Sequence, residues 1–503
     1  MVHSDEMTLR LLAPDRFFVD GQWIEPSTKA MFDVIQPATE ELFLRVAEAR
    51  ADDIDRAVSA ARRAFDEGPW PRMTPTERAG YLRGLAQGLR DRGAEIAFGH
   101  TSEMGVVHSV AKFGGPGAGA TYDFYADLAD SFKFIERHQP SSGAMGAAVS
   151  LLVREPVGVL GAIVPWNSPP SATAFKVAPA LLAGCTVVLK ASPEAPSAML
   201  ILAEIAESIG LPPGVLNCVT ADREVSELLV TDPRVDKISF TGSAAAGRRI
   251  ASLCGERIAR YTLELGGKSP GVILDDYDLA TAAASLSNSS RRMAGQTCAS
   301  LTRIIVNRNR HDEFVELLAA ELSQIKVGDP FDPNIDMGPL AMRRQRDRVE
   351  HYVAKGNEEG ARLVIGGGRP AHLDRGYFFE PTIFANVDND MTIGREEIFG
   401  PVLSVIPADS EDHALQIAND TVYGLNAVVF THDADRALQV ARHFRAGTVG
   451  HNAAIYDFNV GFGGFKQSGV GREGGREGLL PYLESKTVLL AGEPSNLSEF
   501  DWA

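Results

Sequence analysis

Two short segments of the chain carry the residues best suited to covalent chemistry. Glu264 stands before a Gly-Gly pair, and Cys298 follows Gly295-Gln296-Thr297, 34 residues further on (298 minus 264). A thiol attacks carbonyl carbon, and a carboxylate can activate the water that releases an acyl group from sulfur. The pair therefore predicts covalent acyl chemistry. Each residue also has a structural interpretation, a small buried hydrophobe for Cys298 and a solvated strand-end carboxylate for Glu264.

Two further segments could assist such chemistry. Asn167 follows a stiff Pro165-Trp166 pair, so its rigidly placed amide could stabilise an oxyanion, or it could be a turn asparagine. Gly242 and Ser243 stand at a predicted strand-to-helix junction, where backbone N–H groups could hold a phosphate. The junction lacks the GxGxxG and Gly-Lys-Ser/Thr signatures, and a glycine needed only for close packing is an equal alternative.

Composition excludes several classes of protein. With 503 residues, 45% hydrophobic and 23% charged, the chain predicts a soluble globular protein of two or three domains. A net charge of −17 argues against nucleic acid or anionic membrane as partner. Cys185, Cys218 and Cys254 fit core positions, and with no CxxC pair neither a disulfide framework nor a metal site is expected. A reduced, cytoplasmic setting follows, and Met1–Glu6 lacks the features of a signal peptide.

The hydrophobic pattern predicts an α/β architecture. Apolar strands alternate with helices in two successive series, as in βαβ units of parallel sheets. The first series has strands at 157–164, 184–190, 215–220 and 235–240 and helices near 195–209 and 222–230. The second has strands at 271–274 and 302–306 and helices near 278–293 and 311–325. The junction falls near 264–270, and Asn167, Lys190 and Ser243 follow strands at the edge where such sheets bind ligands.

The first 150 residues carry local signals. An Asp-Gly turn within 17–23 predicts a hairpin, and Thr74 with Glu77 predicts a capping box that opens a helix. A glycine-rich stretch at 113–119 precedes a predicted helix from Tyr122 to about Ile135. The turn-rich residues that follow predict an arm or an oligomerisation hairpin.

Together the segments resemble the NAD(P)-dependent aldehyde dehydrogenase superfamily over nearly the whole chain. Each segment is common by itself, but seven in the expected order are specific. They are Pro165-Trp166-Asn167, Lys190 within 188–192, Phe240-Thr241-Gly242-Ser243, Glu264-Leu265-Gly266-Gly267-Lys268, Gly295-Gln296-Thr297-Cys298, Glu397-Ile398-Phe399-Gly400-Pro401, and 462–469, which begins Phe462-Gly463-Gly464.

The resemblance implies roles for the site residues. Cys298 would attack the aldehyde, with the Asn167 side chain and the Cys298 backbone N–H holding the oxyanion. Hydride would pass to the nicotinamide, and Glu264 would activate water against the resulting thioester. Because a free thiol has a pKa of about 8.5, the site is expected to favour the thiolate. The cofactor residues would be Pro165, Trp166, Lys190, Ser192, Gly242, Ser243, Leu265, Glu397 and Phe399.

The resemblance also implies a domain organisation. A Rossmann-like cofactor domain would comprise 1–131 and 150–263, and a catalytic α/β domain would comprise 264–470. A small β oligomerisation arm would comprise 132–149 and 471–503, giving a homotetramer or a dimer.

Three departures from the family pattern bear on function. Pro193 stands where many members carry a glutamate that binds the adenosine ribose, with Glu194 next door; NAD is expected, with NADP as the alternative. Gly461 replaces the usual proline before Phe462. Arg476 is expected to occupy the place of a second acidic residue, which would leave Glu264 to carry deacylation alone.

The predicted substrate is a sizeable apolar aldehyde, aromatic, terpenoid or medium-chain. Small residues after Asn167 leave room, and apolar rings would form the wall. The substrate residues would be Phe175, Thr297, Tyr456, Phe458 and Phe462, although each ring could instead be core packing. Arg291, Arg292 and Lys176 are the cations that could bind a carboxylate-bearing semialdehyde instead.

Three other functions are weighed against oxidation to the acid. A CoA-acylating relative would not need a water-activating base such as Glu264. A cysteine hydrolase of the amidase or nitrilase kind would leave Lys190, Gly242 and Glu397 without a purpose. A non-catalytic protein would have no reason to keep Cys298 and Asn167.

Overall fold

The strands form four sheets in the computed structural model, which describes residues 8–494. The Met1–Glu6 segment and residues 495–503 lie outside the described residues. The strands are β1 Phe17–Val19, β2 Gln22–Ile24, β3 Met31–Gln36, β4 Glu41–Ala47, β5 Ile135–His138, β6 Val149–Pro156, β7 Val159–Ile163, β8 Thr186–Ala191, β9 Leu216–Thr220, β10 Lys237–Thr241, β11 Arg260–Glu264, β12 Ser269–Ile273, β13 Leu301–Asn307, β14 Arg362–Ile365, β15 Thr382–Ala385, β16 Val402–Ala408, β17 Asn426–Phe430, β18 Thr448–His451, β19 Gly469–Val470 and β20 Leu483–Leu490.

Helices connect these strands and cover the two large sheets. They are α1 Ala51–Asp66, α2 Pro75–Asp91, α3 Gly93–Met104, α4 His108–Ala111, α5 Gly114–Leu128, α6 Pro169–Ala183, α7 Ser197–Ser208, α8 Arg223–Thr231, α9 Ala244–Glu256, α10 Leu279–Arg291, α11 His311–Ser323, α12 Arg343–Glu358, α13 Thr392–Arg395, α14 Glu411–Asn419 and α15 Ala434–Ala441. Within residues 8–494, none of them is long and apolar enough to cross a membrane.

The first large sheet has the strand order β19-β11-β10-β7-β8-β9-β1-β2. Its five central strands, β11, β10, β7, β8 and β9, run parallel, and helices cover both faces, so the strands are almost fully buried. The predicted strands and helices of the first series are all present, and so is the hairpin of β1 and β2. The carboxyl ends of β7, β8, β10 and β11 therefore lie side by side and form one edge.

The second large sheet has the order β14-β15-β16-β13-β12-β17-β18, with β14 alone antiparallel. Only Leu265–Lys268 separates the end of β11 from the start of β12. The chain therefore passes directly from the carboxyl edge of the first sheet to the amino edge of the second, and Cys298 precedes β13 at that same amino edge. This crossover brings the two catalytic candidates together.

A smaller sheet, β20-β6-β5, forms the arm that the sequence predicts. The predicted helix over 122–135 is wrong at both ends, because α5 begins at Gly114 and ends at Leu128, and β5 takes Ile135. The glycines of α5 serve close packing rather than a turn: a Cβ on Gly119 would lie 2.8 Å from the Ala86 carbonyl oxygen of α2. The capping box of α2 is as predicted, with the Thr74 hydroxyl accepting from the Glu77 N–H.

Candidate active site

A strained turn presents the candidate nucleophile. Met293, Ala294 and Gly295 all have positive φ, at 53°, 51° and 71°. The Gln296 side chain holds this turn in place through two hydrogen bonds of 3.0 Å. Its Nε2 donates to the Met293 carbonyl, and its Oε1 accepts from the Ala341 N–H. Left-handed conformations at non-glycine residues cost energy and persist where the surroundings enforce them.

The other side of the nucleophile is fixed through the Ala299 carbonyl. That oxygen accepts from Asn426 Nδ2 at 3.1 Å and from the Tyr456 hydroxyl at 3.2 Å. Cys298 itself keeps partial exposure, whereas the other three cysteines are buried, as their sequence contexts predict. Cys298 is therefore the accessible thiol among four.

The surroundings favour the neutral form of the Cys298 thiol. Burial among protein atoms and the nearby carboxylates of Glu397 and Glu264 raise the pKa of the thiol to about 12. The expectation that this site favours the thiolate is therefore wrong for the described residues. A positive charge near the sulfur would oppose the two carboxylates and lower that pKa.

Glu264 ends β11 as a buried carboxyl group. The side chain is 4% exposed, and neither oxygen has a hydrogen-bond partner among the described residues. Burial first, and then the negative charge of Glu473, raise the pKa of Glu264 well above 4.5. A buried carboxyl with free oxygens beside a thiol can accept a proton from water that enters the cleft.

Glu473, not Arg476, supplies the second acidic group. Glu473 is buried and forms an ion pair with the fully buried Lys176, which also donates to the Thr241 hydroxyl. Arg476 instead stacks on the Phe132 ring at 4.9 Å. A second carboxylate, which the sequence was not expected to supply, therefore lies near Glu264, while the role of Glu264 as sole base in deacylation stays a prediction. Lys176 is engaged inside the protein rather than free to bind a substrate carboxylate.

The Asn167 side chain reaches the nucleophile segment. Its Nδ2 donates to the Gln296 carbonyl at 3.0 Å, two residues before Cys298. Its own backbone carbonyl faces His100 Nε2 at 3.1 Å. The structure thus brings Asn167, Glu264 and Cys298 to one place from three separate segments.

A cavity of about 950 Å³ opens beside the carboxyl ends of β7, β8 and β10. Lys190 and Ser192 line it, and burial lowers the pKa of Lys190 to about 8. Ser243 caps α9 by accepting from the Ala246 N–H, and Ala246 in the first turn of that helix lines the same cavity. Gly242 donates its N–H to the Glu264 carbonyl.

The cavity contains a carboxylate even though Pro193 occupies the position where many family members carry a glutamate. Glu194 lines it, bound by the Ser192 hydroxyl and paired with Arg344. Although burial alone would raise the pKa of Glu194, Arg344 and Ser192 outweigh it and lower that pKa. The neighbouring residue therefore provides the negative charge that the family pattern places at 193.

The remaining predicted cofactor residues lie at the crossover between the sheets. Glu397 accepts from the Gly267 N–H at 3.1 Å, and burial raises the pKa of its carboxyl to about 7. Phe399 meets Trp166 edge to face at 5.4 Å. The Leu265 side chain packs on Gly247 of α9, inside the core. A helix terminus for a phosphate and two partly buried carboxyls for ribose hydroxyls suit a dinucleotide.

The predicted substrate rings form one cluster. Phe175 and Phe458 have ring centroids 4.4 Å apart, Phe458 and Phe462 5.5 Å, and Tyr456 and Phe462 6.2 Å. Phe175 is buried, whereas Phe458 is 37% exposed, so the cluster extends from core to surface. Thr297 lies against Met293, with its hydroxyl 3.6 Å from the sulfur. Arg291, a candidate for binding a carboxylate, is paired with Asp336 at 2.8 Å.

Comparison with known proteins decides the family. The model of the aldehyde dehydrogenase family matches residues 23–488. The chain belongs to the aldehyde dehydrogenase family. A geranial dehydrogenase of Castellaniella defragrans is 44% identical, over 94% of this chain and 98% of that relative. A 3-succinoylsemialdehyde-pyridine dehydrogenase of a Pseudomonas species is 41% identical over the same shares.

Solved structures agree with this aldehyde dehydrogenase in fold. An aldehyde dehydrogenase of Mycobacterium tuberculosis in complex with NAD+ superposes with a TM-score of 0.92 at 44% identity, covering 95% of this chain and 98% of that one. A mutant aldehyde dehydrogenase C of Pseudomonas syringae with NAD+ and octanal gives 0.92 at 39% identity, over 97% and 99%. The α/β fold and the enzyme class predicted from the sequence are confirmed.

Several polar residues of this aldehyde dehydrogenase site were not predicted from the sequence. Three of them are buried, namely His100, Gln296 and Asn426. The fourth is Glu473, which forms an ion pair with Lys176, a residue that the sequence suggested only as a ligand for a substrate carboxylate. The sequence contains a signal for Asn426 and for Lys176, the partner of Glu473, because each interrupts an apolar run. Buried polar side chains need partners, so such interruptions indicate a network.

Proposed function

We propose that this enzyme oxidises an apolar aldehyde to the carboxylic acid with NAD+. The observation that carries the proposal is that the Glu264 carboxyl, which has no hydrogen-bond partner among the described residues, lies close enough to the partly exposed Cys298 to raise the pKa of its thiol. A cavity of dinucleotide size opens at the carboxyl ends of β7, β8 and β10 of the sheet that carries Glu264. NAD+ also occupies the solved relatives from Mycobacterium tuberculosis and Pseudomonas syringae.

In the proposed mechanism the chain provides nucleophile, oxyanion donors and base. The Cys298 thiol gives up its proton to water in the cleft, and its Sγ attacks the aldehyde carbon. The Asn167 amide, released from the Gln296 carbonyl, donates to the resulting oxyanion together with the Cys298 N–H. NAD+, when bound, would accept the hydride of the former aldehyde carbon, and this loss would leave the acyl group on Cys298 as a thioester. Glu264 then takes a proton from water, whose oxygen attacks the thioester and releases the acid and the thiol.

Glu397, Lys190, Ser192 and Ser243 are proposed to hold the dinucleotide. NAD+ is proposed over NADP+ because the Glu194 carboxylate lies in the cavity with Lys190, and a carboxylate repels a 2′-phosphate. Pro165, Trp166, Gly242, Leu265 and Phe399 would shape the remaining walls.

The ring cluster is proposed as the wall of the substrate tunnel. Apolar rings that reach the surface suit an apolar chain, and two of the relatives named above are a geranial dehydrogenase and an enzyme with bound octanal. Phe175, Thr297, Tyr456, Phe458 and Phe462 would form this wall. Lys176 and Arg291 are held in ion pairs, so neither is free to bind a carboxylate-bearing semialdehyde, and Arg292 near Tyr456 is the remaining candidate for that role.

Assembly and location complete the proposal. The arm β20-β6-β5 would join subunits into a dimer or tetramer, and the enzyme would act in the cytoplasm without nucleic acid as partner. The division into domains stays a prediction: a cofactor domain of 1–131 and 150–263, a catalytic domain of 264–470, and an oligomerisation arm of 132–149 and 471–503.

The test is a panel of aldehydes with NAD+ and with NADP+, followed at the absorbance of reduced nicotinamide. The panel should contain geranial, octanal, benzaldehyde, succinic semialdehyde and betaine aldehyde. The expected outcome is the highest kcat/KM with an apolar aldehyde and NAD+. Preference for a charged aldehyde would refute the substrate class, and absence of turnover with every aldehyde would refute the activity. Formation of an acyl-CoA when CoA is added would favour the acylating relative instead.

A further inference from the structure

The peptide that carries Asn167 has one anchoring contact from a distant helix. His100 of α3 places Nε2 3.1 Å from the Asn167 carbonyl oxygen, across 67 residues of sequence. The surrounding turn is poor in backbone donors, since it is flanked by Pro165 on one side and by Pro169 and Pro170 at the start of α6 on the other. The contact with His100 therefore fixes a peptide that its own segment can hold only weakly.

The chemistry of the contact defines the state of the ring. A carbonyl oxygen only accepts, so Nε2 must carry the proton. Nδ1 is buried and has no partner among the described residues. Burial lowers the pKa of His100, so the ring is neutral at pH 7 with its proton on Nε2.

The helix that carries His100 is itself held firmly. One residue before the end of α3, the Glu103 carboxyl group accepts from both the N–H and the hydroxyl of Ser197, at 3.0 and 2.7 Å, at the start of α7. His100 is 8% exposed. The ring is therefore a fixed donor, not a mobile one.

We propose that His100 is a positioning residue for the oxyanion site. Its Nε2–H holds the Asn167 carbonyl, and this orients the Cα from which the Asn167 amide reaches toward the nucleophile segment. Without the donor, the peptide can rotate and the amide spends less time where the oxyanion forms. The proposal rests on the function proposed above, since it needs Asn167 as an oxyanion donor.

The test uses two variants that differ in reach. In His100→Gln the amide nitrogen sits about where Nε2 does, whereas in His100→Asn it is one bond too short. The rate of the first turnover of octanal with NAD+ is measured by stopped flow, together with KM and the dissociation constant for NAD+. His100→Asn is expected to slow the first turnover about tenfold with little change in KM or NAD+ binding. His100→Gln is expected to stay within about threefold of wild type.

The decisive comparison is made in an Asn167→Ala background. If His100 acts through Asn167, His100→Asn has no further effect there. An equal loss in both backgrounds, or equal losses for the Asn and Gln variants, would overturn the proposal. Wild-type protein with no turnover would instead refute the proposed function. If the variants do not fold, the ¹⁵N spectrum of histidine-labelled wild type decides: an Nε2–H tautomer at His100 supports the proposal, and an Nδ1–H tautomer overturns it.

Discussion

At the scale of single residues, the site depends on how three buried ionisable groups, Glu264, Glu473 and Lys176, pair with one another. Glu264 and Glu473 repel each other, and Lys176 is paired with Glu473 rather than with Glu264. Of the two glutamates, Glu264 is therefore the one without an ion-pair or hydrogen-bond partner among the described residues, and burial together with Glu473 raises its pKa. Groups of one kind in unequal environments take different roles in catalysis.

Glu264→Gln separates the two halves of the proposed reaction. An amide cannot accept a proton from water, so acylation of Cys298 should proceed while deacylation slows by about a hundredfold or more. We expect a stoichiometric burst of NADH followed by slow turnover, measured by stopped-flow absorbance. The matched variant Cys298→Ser should lose both phases. Unchanged steady-state turnover in Glu264→Gln would show that another base is at work.

Glu473→Gln tests the electrostatic origin of the raised pKa. Only the carboxylate form of Glu264 acts as a base, so deacylation rises with pH through the pKa of Glu264. Removing the neighbouring negative charge lowers that pKa. The ascending limb of the steady-state pH profile should therefore move to lower pH. The control is Glu477→Gln, at an exposed position, which should leave the profile in place. An ascending limb at the wild-type pH in Glu473→Gln would contradict the conclusion that the charge of Glu473 raises the pKa of Glu264.

At the scale of elements, the turn between β11 and β12 determines how closely the two sheets approach. A Cβ on Gly267 would lie 2.5 Å from the Cys298 carbonyl oxygen, and one on Gly266 2.2 Å from a Glu397 oxygen. The glycine pair is thus needed because the nucleophile segment and the Glu397 carboxylate pack directly on backbone. Neither glycine has a positive φ, so the requirement is one of space alone.

Gly267→Ala should displace the nucleophile segment. Because the clash is with backbone, relief requires movement of the Cys298 segment, and misplacement by about 1 Å can cost a factor of about a hundred in rate. We expect kcat with octanal to fall at least tenfold while the protein remains folded by circular dichroism. Gly255→Ala is the control, since its Cβ would meet nothing within 4 Å at the end of α9. Equal activity of both variants would show that the turn does not govern the nucleophile.

The same elements show what sequence alone can predict. The regular alternation of β7 to β11 and the capping box of α2 follow from local periodicity and turn chemistry, and the structure confirms them. The ends of α5 could not be predicted, because its glycines are explained by contact with α2, which is distant in sequence. For the same reason Glu473 was missed: its partner Lys176 lies 297 residues away. Long-range pairing of buried polar groups leaves only a weak local signal.

At the scale of the whole molecule, the arm leaves a strand edge uncovered. β20 pairs with β6 on one side only, and no described strand borders its other side. The strand is apolar at its end, with Leu489 57% exposed. Open edges of this kind invite pairing with another chain. The edge therefore supports the proposed assembly through a second copy.

Leu489→Lys should weaken this assembly. A lysine on an edge strand places a charge in an apolar contact and discourages strand pairing. We expect wild-type enzyme to sediment as a homo-oligomer at micromolar concentration and Leu489→Lys to shift toward smaller species. Leu438→Lys is the matched control, because Leu438 is 67% exposed on α15, away from the arm. A monomeric wild type would contradict the assembly itself, whereas equal sedimentation of both variants would place the interface elsewhere on the surface.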